Sequence, residues 1–332
     1  LGDVISVAMG NLLTPMVLFF ALGFIAAQLR SDLEIPEAIS KGLAIYLMAS
    51  IGFQGGVKLS HAGFGLNVAL SLLAAVALSF LLPFLAYFLL RATTLMKRET
   101  AAAVAAHYGS ISVVTFVTAT EFLNSQGIPF EGHLVAMMAL METPAIVSGL
   151  LLARRGASKD GGGLAGDNPQ MSGEVLREIF VNGSVVLLVG GFLIGWTTGD
   201  RGMDAVGAFM LDPFKGVLCL FLLEMGLVAS RRLRASKLGG GMVLAFGLYM
   251  PLVGALAGLC MAWLLGLSVG GATLLAVLGA SASYIAVPAA MRLAVPKADP
   301  GVYVTLALAI TFPFNVVIGI PVYLAAATWL FG

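Results

Sequence analysis

The sequence predicts an all-α polytopic membrane protein of about ten transmembrane helices, in two inverted five-helix repeats with two broken helices. Three observations carry this. The 332 residues are 59% hydrophobic and 11% charged, with a mean hydropathy of +1.00, whereas soluble domains carry about a quarter charged residues. The apolar runs are about twenty residues long, and the alternating ten-residue strands of an outer-membrane barrel are missing. Two small, polar, helix-weakening patches interrupt apolar segments in the two halves of the chain: residues 107–120, HYGSISVVTFVTAT, and residues 280–288, ASASYIAVP. Backbone of that kind is tolerated at membrane depth only where protein buries it or it lines a cavity.

Taken in order, the first span covers residues 4–29 and ends at Arg30; Pro36 then suits the first turn of the second, which runs to about residue 57. Residues 65–90, almost purely Ala, Leu, Val and Phe, form the third and plainest span. The fourth begins after Lys97 and Arg98 and holds the first patch. Residues 132–153 form the fifth, which stops at Arg154 and Arg155. The segment 156–173, GASKDGGGLAGDNPQMSG, is a Gly-rich linker. A second set follows at residues 174–196, 205–230, 238–265, 268–294 (interrupted) and 300–331. The domain expectation is therefore a first repeat over 1–155 with its break around 107–120, the linker 156–173, and a second repeat over 174–332 with its break around 279–290.

Positive charge orients the chain. Arg30, Arg91, Lys97, Arg98, Arg154, Arg155, Lys159, Arg231, Arg232, Arg234, Lys237, Arg292 and Lys297 gather on one side, while the other has little beyond Lys58, Arg201 and Lys215. By the positive-inside rule the first side is cytoplasmic. Both termini then lie outside and the linker inside, in a bacterial inner membrane. The halves echo each other: Lys41-Gly42 and Lys215-Gly216, Gly52 and Gly226, Gly109-Ser-Ile-Ser112 and Ala280-Ser-Ala-Ser283, Pro144 and Pro313. With an odd number of spans per repeat, the second sits upside down relative to the first.

The breaks suit an anion. Each half-helix N-terminus presents free N–H groups and a partial positive charge, and two such ends facing each other clamp a small anion between them. Gly109, Ser110, Ser112, Ser281, Ala282, Ser283 and Tyr284 are the anion-site candidates. The serines add hydroxyl donors without charge, and Gly109 lets the backbone come close. Small residues also serve simply to pack membrane helices tightly.

Uphill movement of an anion needs a coupling cation. Thr115 and Thr118 share a helical face after the first break, although membrane threonines often only bond back to their own helix. A carboxylate in the bilayer costs about 2.5–3.5 kcal/mol on insertion scales, which marks Glu142, directly before Thr143-Pro144. Its counterpart in the second half is Thr311, with Asn315 close by. Thr115, Thr118, Glu142, Thr311 and Asn315 are thus the cation-site candidates, for sodium or, at Glu142, a proton. Glu224, the other intramembrane acid, suits a scaffold contact equally well. Lys41 and Lys215 read as snorkelling lysines, and Cys219 and Cys260 as small apolar residues.

The runs IPEAISKGLAIYLMASIGFQGGVKL, GSISVVTFVTATEF, METPAIVSGLLLAR and SASYIAVPAAMRLAVPKADPG resemble the cyanobacterial sodium-dependent bicarbonate transporter family, over nearly the whole chain and in order. That resemblance implies two crossed, broken helices in a core domain, a gate or scaffold domain, a homotrimer, and sodium-coupled bicarbonate uptake across the inner membrane. It also implies a cytoplasmic PII-like regulator, although the linker here is shorter. Where those relatives carry Ser-Gly-Ser-Thr, this chain has Ser112-Val113-Val114-Thr115. Where they carry Ser-Ser-Ser-Asp, it has Ser281-Ala282-Ser283-Tyr284, a phenol in place of an acid. An Asp-x-Pro becomes Glu142-Thr143-Pro144.

The expected function is a cation-coupled secondary transporter, a sodium:bicarbonate symporter moving by an elevator or rocking mechanism in contact with membrane lipid. Its competitor within the class is a sodium- or proton-coupled carrier of another small anion or organic acid; outside the class stand a channel and a non-transporting scaffold. An enzyme is not expected, since no Ser-His pair or metal-ligand set lies at membrane depth. Neither a cofactor beyond sodium as coupling ion nor a nucleic-acid partner is expected.

Overall fold

Helices make up nearly all of the chain that the computed structural model describes, residues 13–63, 65–157, 183–235 and 240–332, and no strand occurs among them. The linker from residue 158 on, the beginning of the sixth expected span and the beginning of the first lie outside the described residues.

Helix α1 (Pro15–Gln28) opens on a proline at its first position, where a missing N–H costs nothing. Pro36 likewise precedes α2 (Glu37–Ala62). The plain third segment is α3 (Leu66–Thr93). The fourth expected span is two helices, α4 (Arg98–His107) and α5 (Val113–Ser125). The fifth is also divided, into α6 (Leu134–Leu140) and α7 (Pro144–Ala157), where Pro144 can start a helix but not continue one. Helix α8 (Gly183–Met210) kinks at Gly199, whose φ of 52° is open to glycine, and α9 (Phe214–Ala235) follows. Gly266 closes α10 (Gly241–Leu265) with φ 63°, as helix ends favour. The ninth expected span divides into α11 (Val269–Ala280) and α12 (Ala286–Ala294). The last, α13 (Pro300–Phe331), is started by Asp299, whose carboxylate accepts from the Gly301 N–H at 2.8 Å. It carries π-helical turns at Leu306–Thr311 and Asn315–Gly319, on either side of Pro313, whose absent N–H breaks the regular ladder.

Among the described residues, five helices are long and apolar enough to cross a membrane, or six if the bent pair Val186–Met210 and Phe214–Ala235 is taken as one span. The broken halves fall short singly: a ten-residue helix such as α4 is about 15 Å long, half the hydrocarbon thickness. One boundary moves relative to the sequence reading. Residues 197–204, TTGDRGMD, read as a loop because they are polar. Instead α8 continues through them, with Thr197 and Thr198 donating to the carbonyls of Leu193 and Ile194 at 2.8 and 2.7 Å.

Two groups of helices pack together. Helix α1 lies on α9 and α2 lies on α8, while α3 to α7 and α10 to α13 form the larger group. Glycines set the closeness of the first group. A Cβ on Gly23 would strike the backbone of Leu223 and Leu227, and one on Gly191 that of Ala49 and Phe53. Likewise Gly226 meets Phe20 and Phe24, and Gly52 meets Leu188 and Phe192. These are the same contacts made twice. The spacing that carries Gly23 to Gly191 also carries Phe20 and Phe24 to Leu188 and Phe192. The spacing from Gly226 back to Gly52 carries Leu223 and Leu227 back to Ala49 and Phe53.

Burial separates outside from inside. Leu66, Leu70, Leu73, Leu81 and Phe88 of α3 are exposed, as are Leu248, Leu252, Leu256 and Trp263 of α10. Such apolar stripes belong against lipid. Helices α4 and α11, by contrast, are buried along almost their whole length, as interrupted backbone in a membrane requires.

A candidate anion and cation site where two helices break

The first break, residues 108–112, is positioned by α3. A Cβ on Gly109 would collide with the ring of Pro83 and stand 2.7 Å from the Ser79 carbonyl oxygen, so only glycine allows this approach. The second break, residues 281–285, follows α11, which lies so close to α10 that Gly254 and Gly279 face each other backbone to backbone. The two breaks meet directly: the Ser283 N–H donates to the His107 carbonyl at 2.9 Å. Sequence alone pairs the breaks by likeness; their contact is a finding of the structure.

At the first break Ser112 caps α5. Its Oγ accepts from the Thr115 N–H at 3.2 Å and the Thr115 hydroxyl at 2.9 Å. The buried Tyr284 hydroxyl from the second break stands beside Ser112, too loosely for a full hydrogen bond. No side chain caps α12 at Ile285. Ser112 and Thr115 of the first break and Tyr284 of the second therefore come together, with Ser283 joining the breaks through its N–H, around one capped and one uncapped helix start. Such ends attract negative charge.

Ser110 and Ser281, two of the expected hydroxyl donors, are engaged elsewhere. Ser110 donates to the Glu142 carbonyl at 3.1 Å, and Ser281 to the Val277 carbonyl at 2.6 Å. The physical reason is local. Helix ends and proline turns leave carbonyls without partners, and the nearest hydroxyl takes them. Ala282 is buried. The Thr118 hydroxyl similarly bonds back to Val114 at 2.8 Å, and Thr118 lines a separate cavity beside α1 and α9.

Glu142 sits in the turn between α6 and α7, where Ser79 takes the neighbouring Met141 carbonyl at 2.7 Å. The side chain is 4% exposed, and its Oε2 has no hydrogen-bond partner among the described residues. A buried carboxylate oxygen in that state is costly unless something neutralises it. Thr311 and Asn315 serve different breaks. Thr311 donates to the Gly247 carbonyl at 2.7 Å and so accepts from the Tyr108 hydroxyl at 2.7 Å. Asn315 donates to the Ala280 carbonyl, the end of α11, at 2.8 Å and accepts from Tyr323 at 2.7 Å. Helix α13 thereby holds both breaks in place.

Sequence does not single out Phe312, Glu121 or Ser40, and it gives Lys215 and Glu224 no partner. Phe312 packs edge-on against Tyr284 and against Phe20 of α1, with ring centroids 5.5 and 5.7 Å apart, closing the second break toward α1. His107 donates from Nδ1 to the Ala103 carbonyl at 2.6 Å and lies 4.7 Å from the Tyr303 ring. Lys215, expected to snorkel, instead stands 2.6 Å from the buried Glu121 carboxylate. Ser40 donates to Glu224, tying α2 to α9. A polar residue at the edge of an apolar run carried the signal for Glu121, but nothing in the sequence named its partner.

Paired helix breaks, buried against each other within an apolar helical bundle, define a membrane transport protein. The family model described as the Na+-dependent bicarbonate transporter superfamily matches residues 15–328, and the chain belongs to that superfamily. It is a multi-pass membrane transporter and not an enzyme. Membership implies sodium and bicarbonate as the transported species. Comparison with curated proteins gives no match.

Proposed function

We propose that this protein is a sodium:bicarbonate symporter working by alternating access, built as ten spans in two inverted repeats over 1–155 and 174–332. The observation that carries the reading is the meeting of the two breaks through Ser283 and the His107 carbonyl. The doubled glycine contacts support the repeat, because an inverted pair reproduces each interface of one half in the other. In this reading α1, α2, α8 and α9 are the scaffold, and the larger group carries the site across by an elevator or rocking movement. The anion lies between the start of α5 and the uncapped start of α12. Gly109, Ser110, Ser112, Ser281, Ala282, Ser283 and Tyr284 form its walls. Sodium meets oxygens of Thr115, Thr118, Glu142, Thr311 or Asn315; among these, the Glu142 carboxylate is the one in need of a cation. Both termini face outward from a bacterial inner membrane, the linker 156–173 is cytoplasmic and open to a PII-like regulator, and the assembly is a homotrimer.

A second reading keeps the class and changes the cargo. The rings of Tyr284 and Phe312 make one wall less polar and favour a small organic acid. Uptake of labelled bicarbonate into proteoliposomes separates the two. Accumulation that requires an inward sodium gradient and resists competition by short organic acids is expected. Sodium-driven uptake of an organic acid with none of bicarbonate would overturn the choice of substrate.

A further inference from the structure

A cavity of about 340 Å³ lies between α5 and the α1–α9 pair, and of the residues assigned above it takes in only Thr118. Its charged residues are Glu121 of α5 and Lys215 in the first turn of α9, with Nζ 2.6 Å from Oε1. The pair is lopsided. The lysine side chain is 65% exposed while the carboxylate is 6% exposed, and Oε1 has no other partner among the described residues. Along α5, Ser125, Phe122 and Thr118 line the same cavity. Thr115 follows one turn further on and bonds Ser112 at the break, so this helix face leads from the cavity to the candidate site.

We infer that Lys215 is the first contact for the transported anion on the outer face, and that Glu121 is a tethered competitor for the same ammonium group. This rests on the sodium:bicarbonate reading and its orientation. Solvent screens the exposed ammonium end of the pair, so an arriving bicarbonate competes with the carboxylate for the donors of Lys215. When no anion is present, Glu121 alone holds the ammonium. The ammonium also sits at a helix start, where the dipole adds to its attraction for an anion.

The test is the KM for labelled bicarbonate in proteoliposomes at saturating sodium. Lys215→Gln is expected to raise KM about tenfold, the scale of one charged hydrogen bond, with Vmax within about twofold. Glu121→Gln, which removes the competitor, is expected to lower KM. The exchanged pair Glu121→Lys with Lys215→Glu should not restore wild-type behaviour. A purely structural latch predicts the reverse: both single variants shift KM in the same direction and the exchange rescues them. That result would overturn the inference. If the wild type shows no sodium-dependent bicarbonate uptake, the functional reading fails by itself, and a second measurement still decides. Cys219 lines the cavity. In a Cys260→Ser background its modification by a small anionic methanethiosulfonate should outpace that by a neutral one. Lys215→Gln should abolish the preference and Glu121→Gln should increase it. No preference, or one unchanged by either variant, would sink the role of Lys215.

Discussion

Glu142 shows at single-residue scale how much sequence carries and where it stops. An acid before Thr-Pro in an apolar run is conspicuous without coordinates, because ionisable groups in membranes are costly. The orphaned Oε2 then leaves a buried carboxyl oxygen that a cation or a proton would neutralise. The serines went the other way. Ser110 and Ser281 looked like donors to a ligand, yet each donates to a nearby carbonyl, since a hydroxyl's partner depends on contacts that spacing does not encode. Ser112 and Tyr284 come from different breaks and stand side by side. Glu142→Gln tests the cation role. The amide carries no charge to bury, so the variant is expected to melt at or slightly above the wild-type temperature. Its sodium concentration for half-maximal uptake should rise at least about tenfold, the size of one lost charge-assisted contact. Wild-type sodium dependence in a well-folded variant would remove Glu142 from the site.

The two principal interruptions were legible at the scale of helices. Ser, Gly and Pro within apolar runs placed the breaks around 107–120 and 279–290, and the structure ends α4 at His107 and α11 at Ala280. The division of the fifth span at residues 141–143 was half visible, through Pro144. The continuation of α8 through TTGDRGMD was not visible, because polar residues read as a loop while Gly199 lets the chain kink without leaving the helix. The π turns of α13 also leave no mark in a hydropathy pattern. Gly109 is the most demanding position of the first break: α3 leaves no space for a Cβ there. Gly109→Ala is expected to destabilise the protein by about 1–3 kcal/mol, as overpacking does, and to weaken bicarbonate uptake by shifting Ser110 and Ser112. A purified variant with unchanged melting temperature and uptake would contradict this account of the break.

Across the whole molecule, hydropathy and charge placed a polytopic helical protein in a membrane, and the echo between halves suggested two related units. What they did not give was the contact between those units. The pairing of α1 with α9 and of α2 with α8 depends on glycines whose neighbours lie in the other half of the chain. The same holds for Lys215 with Glu121 and for Tyr284 with Ser112. Each pair joins segments far apart in sequence, and such pairings depend on the fold rather than on local composition. The central claim is that a bicarbonate ion and its sodium bind where the two breaks meet. A high-resolution density map of the purified protein, with and without sodium bicarbonate, tests it most directly. The account predicts compact density among Ser112, Thr115, Ser283 and Tyr284 that appears only with both ions. A fully populated bicarbonate elsewhere in the protein, with these residues unchanged between the two maps, would contradict it.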